Sequence, residues 1–134
     1  MNQEEILNMP AGRELDTLVL LDIMNLKPSY IQEGSLFGVV GELDCWYDEG
    51  GKFYPLGTSP STDISWAWKV AEKLSDKFDF ALVNNQYFLN YPNLHYGFRL
   101  QAIDVHSHIK TVFALGETAP LAICRAALLV VCII

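Results

Sequence analysis

The stretch Glu117-Thr-Ala-Pro-Leu-Ala-Ile-Cys-Arg-Ala-Ala-Leu-Leu-Val-Val-Cys-Ile-Ile134 decides the fold. Thr118 is placed to cap a helix, and Pro120 falls in its first turn, where a missing N–H costs nothing. From Leu121 to Ile134 every residue but Arg125 is apolar. A helix that is apolar on all sides has to be covered on all sides, by more than one sheet face. Ala122 and Ala126 form a small-residue strip that admits a close neighbour, and Leu121, Leu128 and Cys132 fill the space around Arg125. A membrane span needs about 20 apolar residues. This run has fourteen, with Arg125 inside it, so a buried helix is expected and no membrane association. A lone guanidinium in such a place is expensive unless a carboxylate or several carbonyls receive it. Asp22 is the expected partner of Arg125 in a structural ion pair, with Asp16, Glu14 and Asp63 as alternatives.

Working outward, the strongest helix start is Ser61-Thr-Asp63, adjacent capping residues ahead of Ile64. The helix predicted over Asp63 to Lys77 puts Ile64, Ala67, Trp68, Ala71 and Leu74 on one face and Lys69, Glu72 and Lys73 on the other. Trp66 lies at the edge of that face and is an interface candidate, because tryptophan often anchors protein contacts. Nearer the front, Asn2 can cap a short turn containing Glu4 and Glu5. After Pro10 a second helix is predicted from about Ala11 to Met24, carried by Leu15, Leu18 and Val19. Leu20, Leu21, Ile23 and Met24 widen its stripe almost all round, which makes Leu20 and Leu21 candidates for a subunit contact.

Pro28 should end that helix. Phe37 to Tyr47 reads as a strand weakened by glycines, Asp48-Glu-Gly-Gly51 as a turn, and Phe53 to Pro60 as a loop. Phe78 to Val83 alternates as a strand does, Asn84-Asn85 suits a hairpin turn, and Tyr87 to Tyr91, Tyr96 to Ile103 and Ile109 to Leu115 complete the predicted strands. Their short connections favour antiparallel pairing, since parallel neighbours need a crossover of a dozen or more residues.

At 134 residues the chain suits one domain, 1–134, large enough for a core without disulfides or metal. With 51% hydrophobic and 19% charged residues, general disorder is excluded. The net charge of −7 argues against sequence-independent nucleic-acid binding, which relies on Lys and Arg at phosphates. Residues 1–50 hold ten acids against only Arg13 and Lys27, so the negative field comes from the front half. Cys45, Cys124 and Cys132 show no Cys-x-x-Cys spacing. Eight positions separate the last two, about 12 Å along a helix and too far for a disulfide. Reduced thiols and the polar start Met1-Asn-Gln-Glu-Glu point to a cytoplasmic location.

Chemical signatures are sparse. Asp104, His106 and His108 alternate and would share one face of a strand, a carboxylate and two imidazoles suited to a transition metal. They have no identifiable fourth ligand and fall in a predicted connection, so a polar loop is the stronger reading. Cys124 sits among Ile123, Leu121 and Leu128, which suits a core thiol better than a nucleophile. No nucleophile-elbow, Walker A or Gly-x-Gly-x-x-Gly pattern occurs, and no cofactor is expected. Trp46, Tyr47, Phe53, Tyr54, Tyr87, Phe88, Tyr91 and Tyr96 could stack bases only with Lys or Arg interleaved, so core or interface filling is preferred.

Three segments together, Asn2-Gln-Glu-Glu-Ile-Leu with Gly12-Arg-Glu-Leu-Asp-Thr-Leu-Val19, Ser61-Thr-Asp-Ile-Ser with Ala67-Trp-Lys-Val70, and Thr118-Ala-Pro-Leu-Ala-Ile-Cys-Arg-Ala-Ala-Leu-Leu129, resemble the phage ABA sandwich domain family. The third segment is the most specific. The resemblance implies an α+β fold, a three-layer α-β-α sandwich around a mainly antiparallel sheet of about four strands. It implies phage or prophage origin, hence the host bacterial cytoplasm, and no catalytic residues. Leu20-Leu21-Asp22 departs from the more polar stretch expected there, and Trp66 from a small residue. Such apolar residues serve self-association or lie beneath a loop particular to this chain. The expected role is a non-enzymatic accessory protein that binds a host protein or its own copy. The alternatives are a metal- or small-ligand-dependent enzyme using Asp104, His106 and His108, and an acidic nucleic-acid mimic that blocks a host DNA-binding protein.

Overall fold

The computed structural model describes residues 2–34, 38–55, 57–84, 93–104, 106 and 111–133. It orders them as α1 (Gln3–Leu7), α2 (Arg13–Asp22), β1 (Lys27–Tyr30), β2 (Leu43–Tyr47), β3 (Phe53–Tyr54), α3 (Ile64–Leu74), β4 (Phe78–Asn84), β5 (Tyr96–Ala102), β6 (Thr111–Gly116) and α4 (Ala119–Ile133).

Helix starts follow the capping chemistry. Asn2 Oδ1 accepts from the Glu5 N–H at 2.8 Å and Asp63 Oδ1 from the Ser65 N–H at 2.9 Å, and Thr118 Oγ1 accepts from the Leu121 N–H at 3.3 Å. Each satisfies a donor the first helical turn leaves open. After α2, Asn25 takes a left-handed conformation (φ 56°), which asparagine tolerates better than most residues. The chain then turns into β1, an element the sequence did not announce. Pro28 lies inside it, admissible because β1 is an edge of the β1-β2-β3 sheet and an edge proline removes no ladder donor. The strand predicted over Phe37 to Tyr47 is shorter than expected. Only Leu43–Tyr47 pairs, because Gly38 and Gly41 adopt φ of 86° and 90° and hold the preceding segment out of the ladder; residues 35–37 lie outside the described residues. The turn at Asp48 forms as read, with Lys52 and Gly51 N–H groups donating to the Asp48 side chain and carbonyl. Phe53 and Tyr54 then add a short third strand where a loop was expected.

The architecture is α+β with two three-stranded antiparallel sheets, β1-β2-β3 and β4-β5-β6, which replaces the expected single sheet of about four strands. The predicted strand Tyr87 to Tyr91 lies outside the described residues. In the second sheet one face buries Phe78, Phe98, Leu100, Val112 and Ala114. Asp79, Arg99, Gln101, Thr111 and Phe113 on the opposite face are exposed. Helix α4 packs on β5 and β6 and also meets α1, α2 and α3. Among the described residues, then, α4 and α3 lie on one face of the sheet, Trp68 of α3 meeting Phe80 of β4 at 5.8 Å, with α1 and α2 packed on α4, and the face bearing Asp79, Arg99 and Gln101 is exposed, where an α-β-α sandwich was expected. Leu121 to Val130 are all buried. Each fully buried Leu, Ile or Val side chain contributes about 1.5–3 kcal/mol, which makes α4 the main source of core stability. Gly116 sets how closely β6 turns into α4: a Cβ there would lie 2.6 Å from the Ala122 backbone nitrogen, leaving room for glycine alone. No helix among the described residues is long and apolar enough to cross a membrane.

A smaller core joins Leu20, Leu26 and Trp46 beneath the first sheet. Leu20 is 1% exposed, which removes it as an interface residue; its apolar character is explained by β2 packing over it. Leu21, its neighbour, does face outward at 37%.

Arg125 is 7% exposed, and its acceptors correct the expected ion pair. Nε–H donates to the Met9 carbonyl at 3.0 Å and Nη1 to the Leu115 carbonyl at 2.8 Å. Asp22 is exposed on α2 and takes no part. Burial pulls the guanidinium pKa below its ordinary value, and the charge of Glu117 acts against that shift. The buried acid is Asp16, which binds elsewhere: Oδ2 accepts from Ser59 Oγ–H at 2.6 Å and Oδ1 from the Ser61 N–H at 2.8 Å. Ser61 Oγ in turn accepts from the Gly12 N–H at 3.0 Å. The start of α2 is thereby latched to the segment ahead of α3.

Candidate functional site

The hairpin β2-β3 brings Tyr54 against the first turn of α3. Tyr54 meets Trp66 edge-to-face with ring centroids 5.4 Å apart. Lys69, one helical turn beyond Trp66, places Nζ 4.3 Å from the indole centroid, and Lys52 Nζ stands 5.3 Å from the Tyr54 ring. Attraction of an ammonium to a ring face is worth about 0.5–1 kcal/mol at exposed sites. Phe53, next to Tyr54 on β3, points to the opposite face, where it is tilted against Tyr47 at 6.2 Å and 66% exposed. Trp66 is half-buried, with no Trp66 hydrogen bond among those described.

Asp48 fixes the hairpin end of this surface. Its carboxylate accepts from the Lys52 N–H at 2.9 Å and from the Tyr54 hydroxyl at 3.1 Å. The Lys52 N–H holds the Asp48 carboxyl below its usual range, opposed by partial desolvation and helped by Tyr54. Desolvation and the neighbouring Asp48 push the Tyr54 phenol up. The bases that sequence reading found missing among the aromatics are therefore present in space. Lys69 was legible from its i, i+3 spacing to Trp66; Lys52 and Tyr54 were not, because they reach Trp66 only through a hairpin read as a loop. Asp48 and Glu49 next to the rings make the surface a poor match for a polyanion.

The other candidates are dispersed. Asp104 and His106 are exposed beyond β5, where Asp104 Oδ1 accepts from the His106 backbone N–H at 2.9 Å, and His108 lies outside the described residues. Among the described residues no group of three His, Cys, Asp or Glu side chains could hold a metal ion. Cys124 is fully buried, and burial first, then the charge of Asp16, drives its thiol pKa far above the ordinary value. Since the thiolate is the reactive form, Cys124 should resist iodoacetamide in the native protein while exposed Cys132 is alkylated first. Peptide mass mapping before and after denaturation checks this; early labelling of Cys124 would show that α4 opens.

Together, a one-sided antiparallel sheet, a buried helix across it and a second sheet bearing aromatic residues define an α+β protein. A model of the phage ABA sandwich domain matches residues 22–128, and the chain belongs to that family. A phage protein from Bacillus cereus ATCC 14579, known from a 2.0 Å crystal structure, is similar in fold: the TM-score is 0.58 at 22% identity, over 90% of this chain and 92% of that one. No curated protein matches the chain.

Proposed function

We propose that this phage-family protein acts by protein–protein binding, with no reaction of its own, through the surface of Tyr54 and Trp66 flanked by Lys52 and Lys69. The observation that carries the reading is the pair Tyr54 and Trp66, two half-buried rings in edge-to-face contact with ammonium groups over their faces. Aromatic anchors rimmed by charge are the usual make-up of a binding hot spot. The fitting partner is a host protein segment that presents a carboxylate next to an apolar side chain. A second copy fits less well, because two chains of charge −7 repel each other. The acidic-mimic alternative is weakened by Asp16, buried in the fold, and Asp48, held by hydrogen bonds at the hairpin turn, two of the ten front-half acids. Leu21 offers a second, smaller apolar point.

Phe53→Ala is the control, since truncating an exposed side chain on the other face of β3 should change stability by no more than about 0.5 kcal/mol. A host protein captured by the wild-type chain should be lost with Trp66→Ala and kept with Phe53→Ala, while light scattering reports a monomer. Capture that survives Trp66→Ala would sink the proposal, and a dimer broken by Trp66→Ala would reassign the surface to self-association.

A further inference from the structure

The acidic front half of the chain, which the surface of Tyr54 and Trp66 leaves unused, carries an apolar tip. Between Pro28 and Gly51 the sequence holds Glu33, Glu42, Asp44, Asp48 and Glu49 and no Lys or Arg. This stretch is the arm built on β1 and β2. β2, five residues long, carries the tip about 17 Å away from the hairpin that holds Lys52.

At the tip Val39 to Glu42 form a turn. The Glu42 N–H donates to the Val39 carbonyl at 3.1 Å, and Gly41, with φ 90°, holds the third position, where a type II turn requires a left-handed residue. Two bonds fasten the turn to the other limb: the Ile31 N–H donates to the Glu42 carbonyl at 2.8 Å, and the Gly41 N–H to the Ile31 carbonyl at 3.0 Å. A Cβ at Gly38 would meet Ile31 Cδ1, so the Ile31 side chain lies against the backbone just ahead of Val39.

This fastened turn holds out the wrong residues for a turn. Val39 and Val40 are 63% and 61% exposed, whereas turns favour Gly, Pro, Asn, Asp and Ser, with Pro common at the position Val40 occupies. A single exposed apolar residue needs no explanation. An adjacent pair that breaks the local rule with no gain in stability does, and such violations mark functional positions. Glu42 belongs to the same turn, Glu33 and Asp44 stand two positions from Ile31 and Glu42 along the arm, and all three carboxylates are exposed.

We infer that the turn of Val39 and Val40 is a second docking surface, whose partner is a protein presenting an apolar groove edged by Lys or Arg. The valines fill the groove and Glu33, Glu42 and Asp44 meet its rim, an apolar centre with a charge-matched edge. Charge selects among the other occupants. An anionic lipid surface would be repelled by these carboxylates, and a second copy would bring the same acidic arm and a net charge of −7. The surface of Tyr54 and Trp66, with its lysines, repels a basic partner, so the two surfaces are tested separately.

The probe is an amphipathic helical peptide of Leu and Lys, compared with its Leu and Glu counterpart and with phosphatidylcholine vesicles, with and without phosphatidylglycerol. Amide shifts in isotope-labelled protein report where each binds. The Leu/Lys peptide should move the amides of Gly38 to Glu42 and leave the Trp66 indole N–H in place, and the Leu/Glu peptide should leave the turn unmoved. Val39→Ser combined with Val40→Ser should weaken Leu/Lys binding at least about tenfold, as the loss of two buried valines implies. The Tm should stay the same, because both side chains are exposed in the free protein. Glu33→Gln combined with Glu42→Gln should remove most of the salt dependence of binding. No shift of the turn amides at millimolar Leu/Lys peptide overturns the proposal, and so does equal binding by the double valine variant. Turn shifts with vesicles alone would replace it with a membrane contact, and a dimer that the valine substitutions break would replace it with self-association.

Discussion

Arg125→Ala should destabilise the protein by about 2–4 kcal/mol, the sum expected from losing two charge-assisted hydrogen bonds and the packing of the aliphatic stem, less the recovered desolvation cost of the guanidinium. The Met9 and Leu115 carbonyls would lose their donor in the interior, and the junction of α4, β6 and the α1–α2 connection would lose its common tie. Arg125→Met fills the same space without a charge to desolvate and should cost less, about 1–2 kcal/mol. Asp22→Asn should move stability by no more than about 0.5 kcal/mol, because Asp22 is on the surface. Urea unfolding of the three variants separates the possibilities. An Asp22→Asn loss comparable with that of Arg125→Ala would restore the ion pair that the geometry rejects. Because the acceptors are neutral carbonyls, the Arg125→Ala loss should also change little with added salt.

Asp16→Ala is the second large effect, about 2–4 kcal/mol. It leaves the buried Ser61 N–H without an acceptor and frees the Ser59 hydroxyl, and an orphaned buried donor costs about 1–3 kcal/mol on its own. Asp16→Asn keeps one carbonyl oxygen for the Ser61 N–H and should lose about half as much. The loss has a location as well as a size, since α2 and the α3 start are latched through this carboxylate. Hydrogen exchange should show faster exchange at the Gly12 and Ser61 amides before the α4 amides respond. Uniform acceleration across α4 would mean that Asp16 supports the whole core and not the latch alone.

Local chemistry was legible in the residues. The adjacent polar residues Ser61, Thr62 and Asp63 ahead of an apolar periodicity located α3 to within a residue at its start. Thr118 and Pro120 did the same for α4. Alternation in Phe78 to Val83 reported a strand with one buried face. Each of these signals is carried by residues within a few positions of one another, where capping bonds and side-chain direction act. The aromatic surface was half legible: Trp66 stood out and Lys69 followed from helical spacing, whereas Tyr54 and Lys52 depended on a hairpin that glycines and a two-residue strand disguised.

The sequence by itself determined that α4 must be buried on every side, because a run with a single charge cannot face water or span a bilayer at that length. It also determined that Arg125 would need receivers. Only the tertiary structure decided who they are. Main-chain carbonyls carry no residue signature, so Met9 and Leu115 could not be read from side-chain chemistry, and a carboxylate such as Asp22 was the natural but incorrect choice. The division into two sheets, the burial of Leu20 under Trp46 and the meeting of Asp16 with Ser59 and Ser61 were set in the same way. They depend on contacts between residues tens of positions apart, and the free energy of those contacts exists only once the chain has closed around α4.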